Sequence, residues 1–299
     1  SGELRLADLK GVRIEKDPDP AKQMMDLAYL NIHFPMSLPE KLLRLSDQVR
    51  RKKMAIRCGR CLKNNREFDS QSHGGRRWWV RKPLLDKGLK ALLANPDLAL
   101  GGDSVLKAGR SSTVGRCDGW VVKRYNLKKP LNVIKDLFRP SKAKRGFRLS
   151  YHLELVGLSS PHIAAVAEDR VFGFLLRSFL VMEEIPAAVA LGAAADRDGL
   201  TARVSKLIGR LHHEGFSHRD LKESNLLIDE QGEPHLIDLD GLSFEEKVAS
   251  KVAVANLVRL DRGLRGRQVY TRANWIGFIK RYCRETGLRP ANLRTRNFE

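Results

Sequence analysis

The chain has 299 residues, of which 42% are hydrophobic, enough to bury a sizeable core arranged as about two domains or lobes. No apolar run approaches the roughly 18 residues that a membrane span needs, and the first residues lack the basic and apolar regions of a secretory signal. Four cysteines in a chain of this length do not make a disulfide framework, so we expect a globular protein that works in the cytoplasm.

The formal charge is +20, from 55 Lys and Arg against 35 Asp and Glu. Such a field attracts anionic partners: an acidic membrane surface, a phosphorylated substrate, an acidic protein or nucleic acid. Nucleic acid is the least expected partner, because aromatic and basic residues alternate only around Trp78 and Trp79, which are typical core residues. Two runs of cations, at residues 50–53 and 128–148, are either solvated or anion-facing surface.

Residues 1–99 are expected to form a partly helical extension that packs on the rest of the chain. Apolar spacing predicts a helix over residues 41–54, either an ordinary packed helix or a basic amphipathic helix on a membrane surface. The polar stretch GRCLKNNREFDSQSHGGRR is typical of a loop. Cys58 and Cys61 form a CxxC, but even with His73 only three metal ligands can be named, so no metal site is expected there.

From residue 100 the pattern changes to strands. SVLKAG and VGRCDGWVVKRY predict three antiparallel strands, with a hairpin turn at Asp118-Gly119. A helix over about 140–158 and two strand-like runs within 171–185 follow. After Pro186 the apolar residues recur at helical spacing. We therefore expect a small antiparallel sheet in residues 100–184 and a mainly helical part in residues 185–299.

The stretch HRDLKESN, residues 218–225, places acidic, basic and amide side chains at one turn. Local hydrogen bonding is the ordinary explanation for such residues. Two strand-like runs, LLID and HLID, follow it, however, and a hairpin between them would bring Asp238 back toward Asp220 and Asn225. This layout suits phosphoryl transfer, which needs a carboxylate at the attacking hydroxyl and oxygen ligands that hold Mg²⁺ against ATP.

The loop also matches the H-R-D-x-x-x-x-N motif, so the chain resembles the protein-kinase-like superfamily. The resemblance implies that Asp220 is the catalytic base and that Lys222 contacts the transferring phosphate. It implies that Asn225 and Asp238 hold Mg²⁺, with Asp240 as the alternative to Asp238.

The same resemblance implies a nucleotide site in the strand-rich region. Lys123, in the sequence WVVK, is similar to the lysine that holds the α and β phosphates of ATP, and Lys107 is the alternative. Glu154 is expected to pair with Lys123, unless it forms a purely structural ion pair. The remaining expected nucleotide contacts are Gly109, Ser111, Ser112, Thr113 and Gly115 in a phosphate-covering turn, and Met182, Glu183 and Glu184 at a hinge beside the adenine.

The acceptor is expected to be a small or pendant hydroxyl, because the A-P-E segment that supports peptides in protein kinases is absent after Asp238. Between about residues 100 and 265, the tracts RPSKAKRGFRLSYHLELVGLSSPHIAAV, LVMEEIP, IDLDG and ANLVRLDRGL resemble the bacterial lipopolysaccharide kinase family. That resemblance implies an α+β, two-lobed, protein-kinase-like fold without a full activation segment. It also implies an ATP- and Mg²⁺-dependent kinase.

The implied substrate is heptose or 3-deoxy-manno-octulosonic acid in the lipopolysaccharide inner core, or its lipid-linked precursor, on the inner face of the inner membrane. The positive charge suits peripheral approach to an anionic membrane surface. Arg110, Arg116 and the cations of residues 142–148 are candidate contacts to substrate phosphates. A kinase for a protein or another small molecule, and a pseudokinase that only binds nucleotide, are the alternatives.

Overall fold

A computed structural model describes residues 19–33, 39–74, 76–126, 140–172, 174–194, 199–265 and 271–288. The chain divides into two units between Lys53 and Met54. The first unit contains α1 (Pro20–His33) and most of α2 (Glu40–Arg57). The Ser46 hydroxyl donates to the Ala28 carbonyl at 3.0 Å, which ties these two helices together. The helix predicted over residues 41–54 is confirmed, and no helix among the described residues is long and apolar enough to cross a membrane.

The second unit consists of two lobes. The first lobe is built on a seven-stranded antiparallel sheet in the order β1-β2-β6-β7-β5-β4-β3. Side chains alternate between its two faces, so neighbouring residues of one strand enter different cores. Phe179 packs with α3 (Lys87–Ala94), and Leu180 packs with α4 (Lys142–Leu155) on the other face. The strands are β1 (Phe68–His73), β2 (Arg76–Arg81), β3 (Val105–Ala108), β4 (Ser112–Cys117), β5 (Trp120–Tyr125), β6 (Ile163–Val171) and β7 (Phe174–Glu183).

The loop prediction for GRCLKNNREFDSQSHGGRR is wrong, because this stretch contains β1 and the start of β2. β1 is an edge strand in which only Phe68 is deeply buried, so it lacks the clear alternation of apolar and polar residues that indicates a strand. The expected boundary after residue 99 therefore cuts through the sheet, which already starts at Phe68. Trp78 on β2 is a buried core residue.

The hairpin predicted at Asp118-Gly119 is confirmed. Both residues have positive φ angles, 49° and 78°, as a two-residue type I′ turn requires. The turn joins β4 and β5, with Cys117 paired to Trp120. It fixes the register of β5, and with it the position of Lys123.

The second lobe is built mainly from α5 (Leu200–His213), α6 (Ser250–Arg265) and α7 (Arg272–Thr286). Val204, Leu207, Ile208 and Leu211 recur at helical spacing and are all buried in its core. Short strands complete the lobe: β8 (Val189–Ala190), β9 (Phe216–His218), β10 (Leu226–Ile228), β11 (Pro234–Leu236) and β12 (Leu242–Phe244). The α+β, two-lobed kinase-like expectation is confirmed. The cations at 128–139 lie outside the described residues.

Candidate active site

Lys123 is the centre of the candidate site. It lies on β5 with its side chain largely buried, and its Nζ donates to Asp238 Oδ1 at 2.6 Å and lies 3.1 Å from Asp240 Oδ2. These contacts join the sheet of the first lobe to the second lobe. Lys107, the alternative, is exposed on β3. Lys123 therefore contacts both acids that are candidate metal ligands.

Asp238 and Asp240 differ in how firmly each is held. Asp240 Oδ1 accepts a hydrogen bond from the Tyr125 hydroxyl at 2.5 Å, and its side chain is 23% exposed. The Asp238 side chain is 37% exposed. Burial opposes its charged form, but Lys123 lowers the pKa of Asp238 below its usual value, so it is ionised at neutral pH. Asp238 also has a φ of 56°, a strained backbone for a non-glycine residue of the kind that clusters at functional sites.

The HRDLKESN stretch, residues 218–225, is the predicted catalytic loop, and it is attached directly to the segment that carries these acids. The His218 Nε2 donates to the Asp238 carbonyl at 2.9 Å, and the Arg219 N–H donates to the Gly241 carbonyl at 2.8 Å. A Cβ at Gly241 would lie 3.2 Å from the Asp220 nitrogen, tighter than an ordinary van der Waals contact, so glycine favours the close approach. The backbone thus fixes the distance between the predicted base and the predicted metal ligands.

Asp220 projects from this loop with half of its side chain exposed. Lys222 Nζ lies 3.0 Å from Asp220 Oδ2 and lowers the pKa of that carboxyl group, so Asp220 is ionised at neutral pH. Asn225 Nδ2 donates to the Asp220 carbonyl at 2.8 Å. Because the amide is planar, this bond turns its oxygen the other way, where it can act as a ligand.

A buried hydrogen-bond chain supports the loop from behind. The Asn256 Oδ1 accepts from the His218 N–H at 2.9 Å and lies 3.1 Å from His212 Nε2. A carbonyl oxygen only accepts, so His212 Nε2 carries a proton and its bare Nδ1 accepts from the Tyr282 hydroxyl at 2.7 Å. Burial lowers the pKa of His212 to about 4, which keeps the ring neutral. Three helices thus hold the start of the catalytic loop.

Glu154 does not pair with Lys123, so that expectation is wrong. It lies on α4 and accepts two hydrogen bonds of 2.7 Å from Arg81 on β2. Arg81 also contacts Glu67 at 2.7 Å, and the Tyr151 hydroxyl donates to Glu67 at 2.9 Å. The structural ion pair, which the sequence left open, is the one that forms. Asp240 and Asp238 take the place of the glutamate at Lys123.

The predicted phosphate-covering turn is divided between the two faces of the sheet. Ser112 pairs with Tyr125 and Val114 with Lys123, so Thr113 and Gly115 face away from the Lys123 side. A side chain at Gly115 would come within 1.8 Å of the Ala99 carbonyl, which gives this glycine a packing role. Gly109 and Ser111 form the turn itself, where the Gly109 N–H donates to the Ser112 carbonyl at 3.0 Å.

The expected hinge lies at the end of β7. The N–H groups of Glu183 and Glu184 donate to the carbonyls of His162 and Gly119, at 2.9 and 2.8 Å. A nucleobase therefore has to use other backbone groups of this segment. Met182 pairs with Val121 on β5 and lies on the same face of the sheet as Lys123, which we call the cleft side.

The candidate substrate-binding cations are only partly available. Arg116 lies 3.5 Å from Glu184, and Lys144 contacts Glu168 at 2.7 Å. Arg145 donates to the Leu242 carbonyl and so ties α4 to the segment after Asp240. Exposed cations in this region include Arg110, Lys142 and Arg148.

The donor atoms fit a magnesium ion, because Asp238, Asp240 and Asn225 supply only oxygen ligands, which this hard cation prefers. No cluster of three or more His, Cys, Asp or Glu residues suited to a metal occurs within the described ranges. Cys58 and Cys61 are free thiols. Burial raises the pKa of Cys61 to about 12, so this thiol is protonated at neutral pH in the metal-free chain.

The sequence did not reveal the side chains that support the site. Tyr125, Arg145, His212 and Asn256 act through hydrogen bonds to residues far away in the chain. The only signal for Tyr125 was its position two residues after Lys123, which places both side chains on one face of a strand.

The chain is similar to known proteins in sequence and in fold. Residues 107–282 match the model described as "Lipopolysaccharide kinase (Kdo/WaaP) family". A 3-deoxy-D-manno-octulosonic acid kinase from Xylella fastidiosa (strain 9a5c) is 31% identical over 121 residues, which cover 40% of this chain and 48% of that protein. The chain thus spans about half the length of the curated relatives it matches first.

Two further similarities are more limited. A probable bifunctional tRNA threonylcarbamoyladenosine biosynthesis protein from Methanothermobacter thermautotrophicus is 33% identical over 95 residues, 32% of this chain and 16% of that protein. The solved structure described as "WaaP in complex with acyl carrier protein" superposes with a TM-score of 0.50 and 19% identity, over 69% of this chain and 89% of that one. At this identity the structure supports the fold alone.

The family match covers more than half of the chain and includes β5, the catalytic loop and both acids on Lys123. It confirms the resemblance recognised in the sequence. The chain belongs to the lipopolysaccharide kinase (Kdo/WaaP) family.

Proposed function

We propose that the protein is an ATP- and Mg²⁺-dependent kinase that phosphorylates a sugar hydroxyl of the lipopolysaccharide inner core, on heptose or 3-deoxy-manno-octulosonic acid. One observation carries this proposal: Lys123 reaches from the sheet to Asp238 and Asp240, in the segment whose backbone also binds the Asp220 loop. A module that only bound nucleotide would not need the Asp220 carboxylate. Family membership supports a lipopolysaccharide sugar as the acceptor.

The residues of the chain divide the chemistry between them. Asp220, ionised and half exposed, accepts the proton of the attacking hydroxyl as the new O–P bond forms and the bond to ADP breaks. Lys222 lies beside it and balances the negative charge of the transferred phosphoryl group. Lys123 exchanges a carboxylate contact for the α and β phosphates. Asn225 and Asp238 would hold Mg²⁺, which neutralises phosphate charge when bound.

The proposed setting is the inner face of the inner membrane, with the protein bound peripherally. The supporting observations are the net charge of +20 and the exposed cations near the cleft, because nascent lipopolysaccharide carries phosphates and acidic sugars. An acidic protein is a further partner class, since the related WaaP was solved with acyl carrier protein. A protein or another small molecule as acceptor, and nucleotide binding without transfer, remain the alternatives.

The test measures phosphate transfer from Mg-ATP to dephosphorylated inner-core oligosaccharide by mass spectrometry, with a mixture of serine and threonine peptides as the competing acceptor. We expect one added phosphate on the sugar. The Asp220→Asn variant should lose about 10²- to 10⁴-fold in kcat and keep its affinity for ATP.

Asp229→Asn is the matched control. Asp229 lies near the same loop but is held by His235 at 2.9 Å and has no part in the proposed chemistry, so its variant should turn over normally. Comparable turnover by Asp220→Asn would reject the base assignment. Transfer to peptides alone would assign a protein kinase, and ATP binding without any transfer would assign a pseudokinase.

A further inference from the structure

The turn between β6 and β7 contains an aromatic residue that the fold does not explain. Val171 pairs with Phe174, so only two positions separate the paired ends of the strands, and Phe172 occupies the first of them. Phe172 has a φ of 50°, and it is 94% exposed, the highest value among the large apolar side chains of the described residues. It therefore makes almost no packing contact in exchange for its unfavourable backbone conformation.

Two other hairpins of the same sheet show what such a loop normally contains. The first loop position is Gly74 between β1 and β2, and it is Asp118 between β4 and β5. Gly, Asn and Asp are the residues that tolerate a positive φ at the first loop position, whereas a bulky side chain is strained there. Asn at position 172 would make the folded chain more stable than Phe does. The aromatic side chain thus points to a ligand outside the fold.

The neighbours of Phe172 extend the apolar surface. Val171, Phe174 and Leu176 are 48%, 36% and 36% exposed, and Val171 and Phe174 share one face of the hairpin because they are paired. We call Val171, Phe172, Phe174 and Leu176 the hairpin tip. These four side chains are far fewer than the roughly 20–30 residues that a stable protein interface uses on each partner, which argues against a protein partner.

The surroundings of the hairpin tip are basic. Asp169 is shared between two arginines, at 2.5 Å from Arg76 and 2.6 Å from Arg177. Arg170 lies on the strand that leads to the tip, and Arg77, which is exposed, lies on the neighbouring strand β2. With Asp97, which lies 3.5 Å from Arg177, the region contains four arginines and three carboxylates, Asp97, Glu168 and Asp169, so its net charge is positive. An apolar hairpin tip next to cations is suited to a membrane surface, where acyl chains meet anionic headgroups.

The hairpin tip lies at the same end of the sheet as the predicted phosphate-covering turn. Tyr125, at the end of β5, pairs with both Ser112 and Ser178, so the turn at residues 109–111 and the hairpin tip lie at the same end. β7 continues four residues beyond Ser178, about 13 Å at the rise of a strand. A membrane contacted by the hairpin tip would therefore lie on the side of the predicted phosphate-covering turn.

We propose that the hairpin tip inserts Phe172 into an anionic lipid surface and so anchors the protein at the membrane. The lipid-linked acceptor rests on the proposed function, but the insertion itself does not. Binding can be measured without ATP or sugar. Failure of vesicle binding and failure of phosphate transfer are therefore separate results.

The test is co-sedimentation with vesicles of phosphatidylglycerol and phosphatidylethanolamine, with phosphatidylcholine vesicles for comparison. Phe172→Asn should fold at least as well as the parent, since Asn-Gly is a favoured pair for this turn. It should lower the partition coefficient on the anionic vesicles by about tenfold or more, because a phenylalanine no longer leaves water. Turnover on water-soluble oligosaccharide should not change. Phe172→Trp should retain binding, with fluorescence quenched by brominated lipid.

Ile56→Asn is the matched control. Ile56 is 80% exposed near the end of α2, the helix that was the other candidate for a membrane surface, and its variant should bind vesicles normally. Equal vesicle binding by Phe172→Asn and the parent would overturn the proposal. So would an equal loss in Ile56→Asn, or a change in self-association by sedimentation without any effect on lipid binding.

Discussion

Two clusters in the second unit contain the same groups and differ in their use. The front cluster has one cation, Lys123, two carboxylates, Asp238 and Asp240, and the hydroxyl of Tyr125. The rear cluster likewise consists of one cation, two carboxylates and a tyrosine: Arg81, Glu67, Glu154 and Tyr151.

The difference lies in the cation and in what the cluster joins. The guanidinium of Arg81 satisfies Glu154 with two parallel bonds, a fixed geometry that locks α4 onto β2 within one lobe. The ammonium of Lys123 is a point charge between two lobes, and one of its acids, Asp238, is partly exposed to the cleft. The rear cluster is closed and structural. The front cluster can exchange a partner for a phosphate, which is what a catalytic site requires.

Exchanging the two cations should give the largest effects. Lys123→Arg should lower kcat/KM for phosphate transfer by about 100-fold or more, because the wider fork misplaces the phosphates, and should change stability little. Arg81→Lys should lower the free energy of unfolding by about 1–3 kcal/mol, because the bidentate bond is lost, and leave kcat within about twofold. Initial rates and urea unfolding measure the two effects. If Lys123→Arg lowered the free energy of unfolding but left turnover normal, both clusters would have a structural role only.

The next largest effects are expected at the carboxylates, where the two clusters should differ in Mg²⁺-dependent ATP binding. Asp238→Asn should weaken Mg²⁺-dependent ATP binding by about 10- to 100-fold, and Asp240→Asn should weaken it less, since Asp240 is held back by Tyr125. Glu154→Gln, in the rear cluster, should not change it. Titration of ATP with and without Mg²⁺ gives the comparison. A larger loss in Asp240→Asn than in Asp238→Asn would move the metal assignment to Asp240.

The tyrosines should show the smallest effects. Tyr125→Phe removes one hydrogen bond to Asp240, worth about 1 kcal/mol, and should lower kcat about fivefold with a smaller change in KM for ATP. Tyr151→Phe removes the matching bond to Glu67 and should lower stability by a similar amount without affecting kcat. If both variants change only stability, Tyr125 does not position the acids.

The sequence predicted the parts of the site that are local in the chain. HRDLKESN, the following hairpin of β10 and β11, and the strand carrying Lys123 are all read from neighbouring residues, and the structure has them where they were expected. Turn chemistry also fixed the Asp118-Gly119 hairpin, because only a few residues tolerate its backbone.

The sequence could not predict contacts that depend on packing of distant elements. Glu154 was the only acid between Asp136 and Glu168, so it was assigned to Lys123, but its partner Arg81 lies 73 positions before it, on a strand that the sequence did not predict. β1 escaped recognition because its polar residues are half-buried at the edge of the sheet. The link between Tyr125 and Asp240 spans 115 positions.

The neutral, buried His212 makes the support of the catalytic loop sensitive to acid. Its pKa is about 4 in the folded chain and about 6.5 for a freely hydrated imidazole, so between these values protons bind preferentially to the unfolded chain. The stability that His212 contributes is present above about pH 6.5 and declines by about 1 kcal/mol for each pH unit as the pH falls toward 4. Acidification therefore weakens the framework behind Asp220 before it discharges the carboxylates of the cleft.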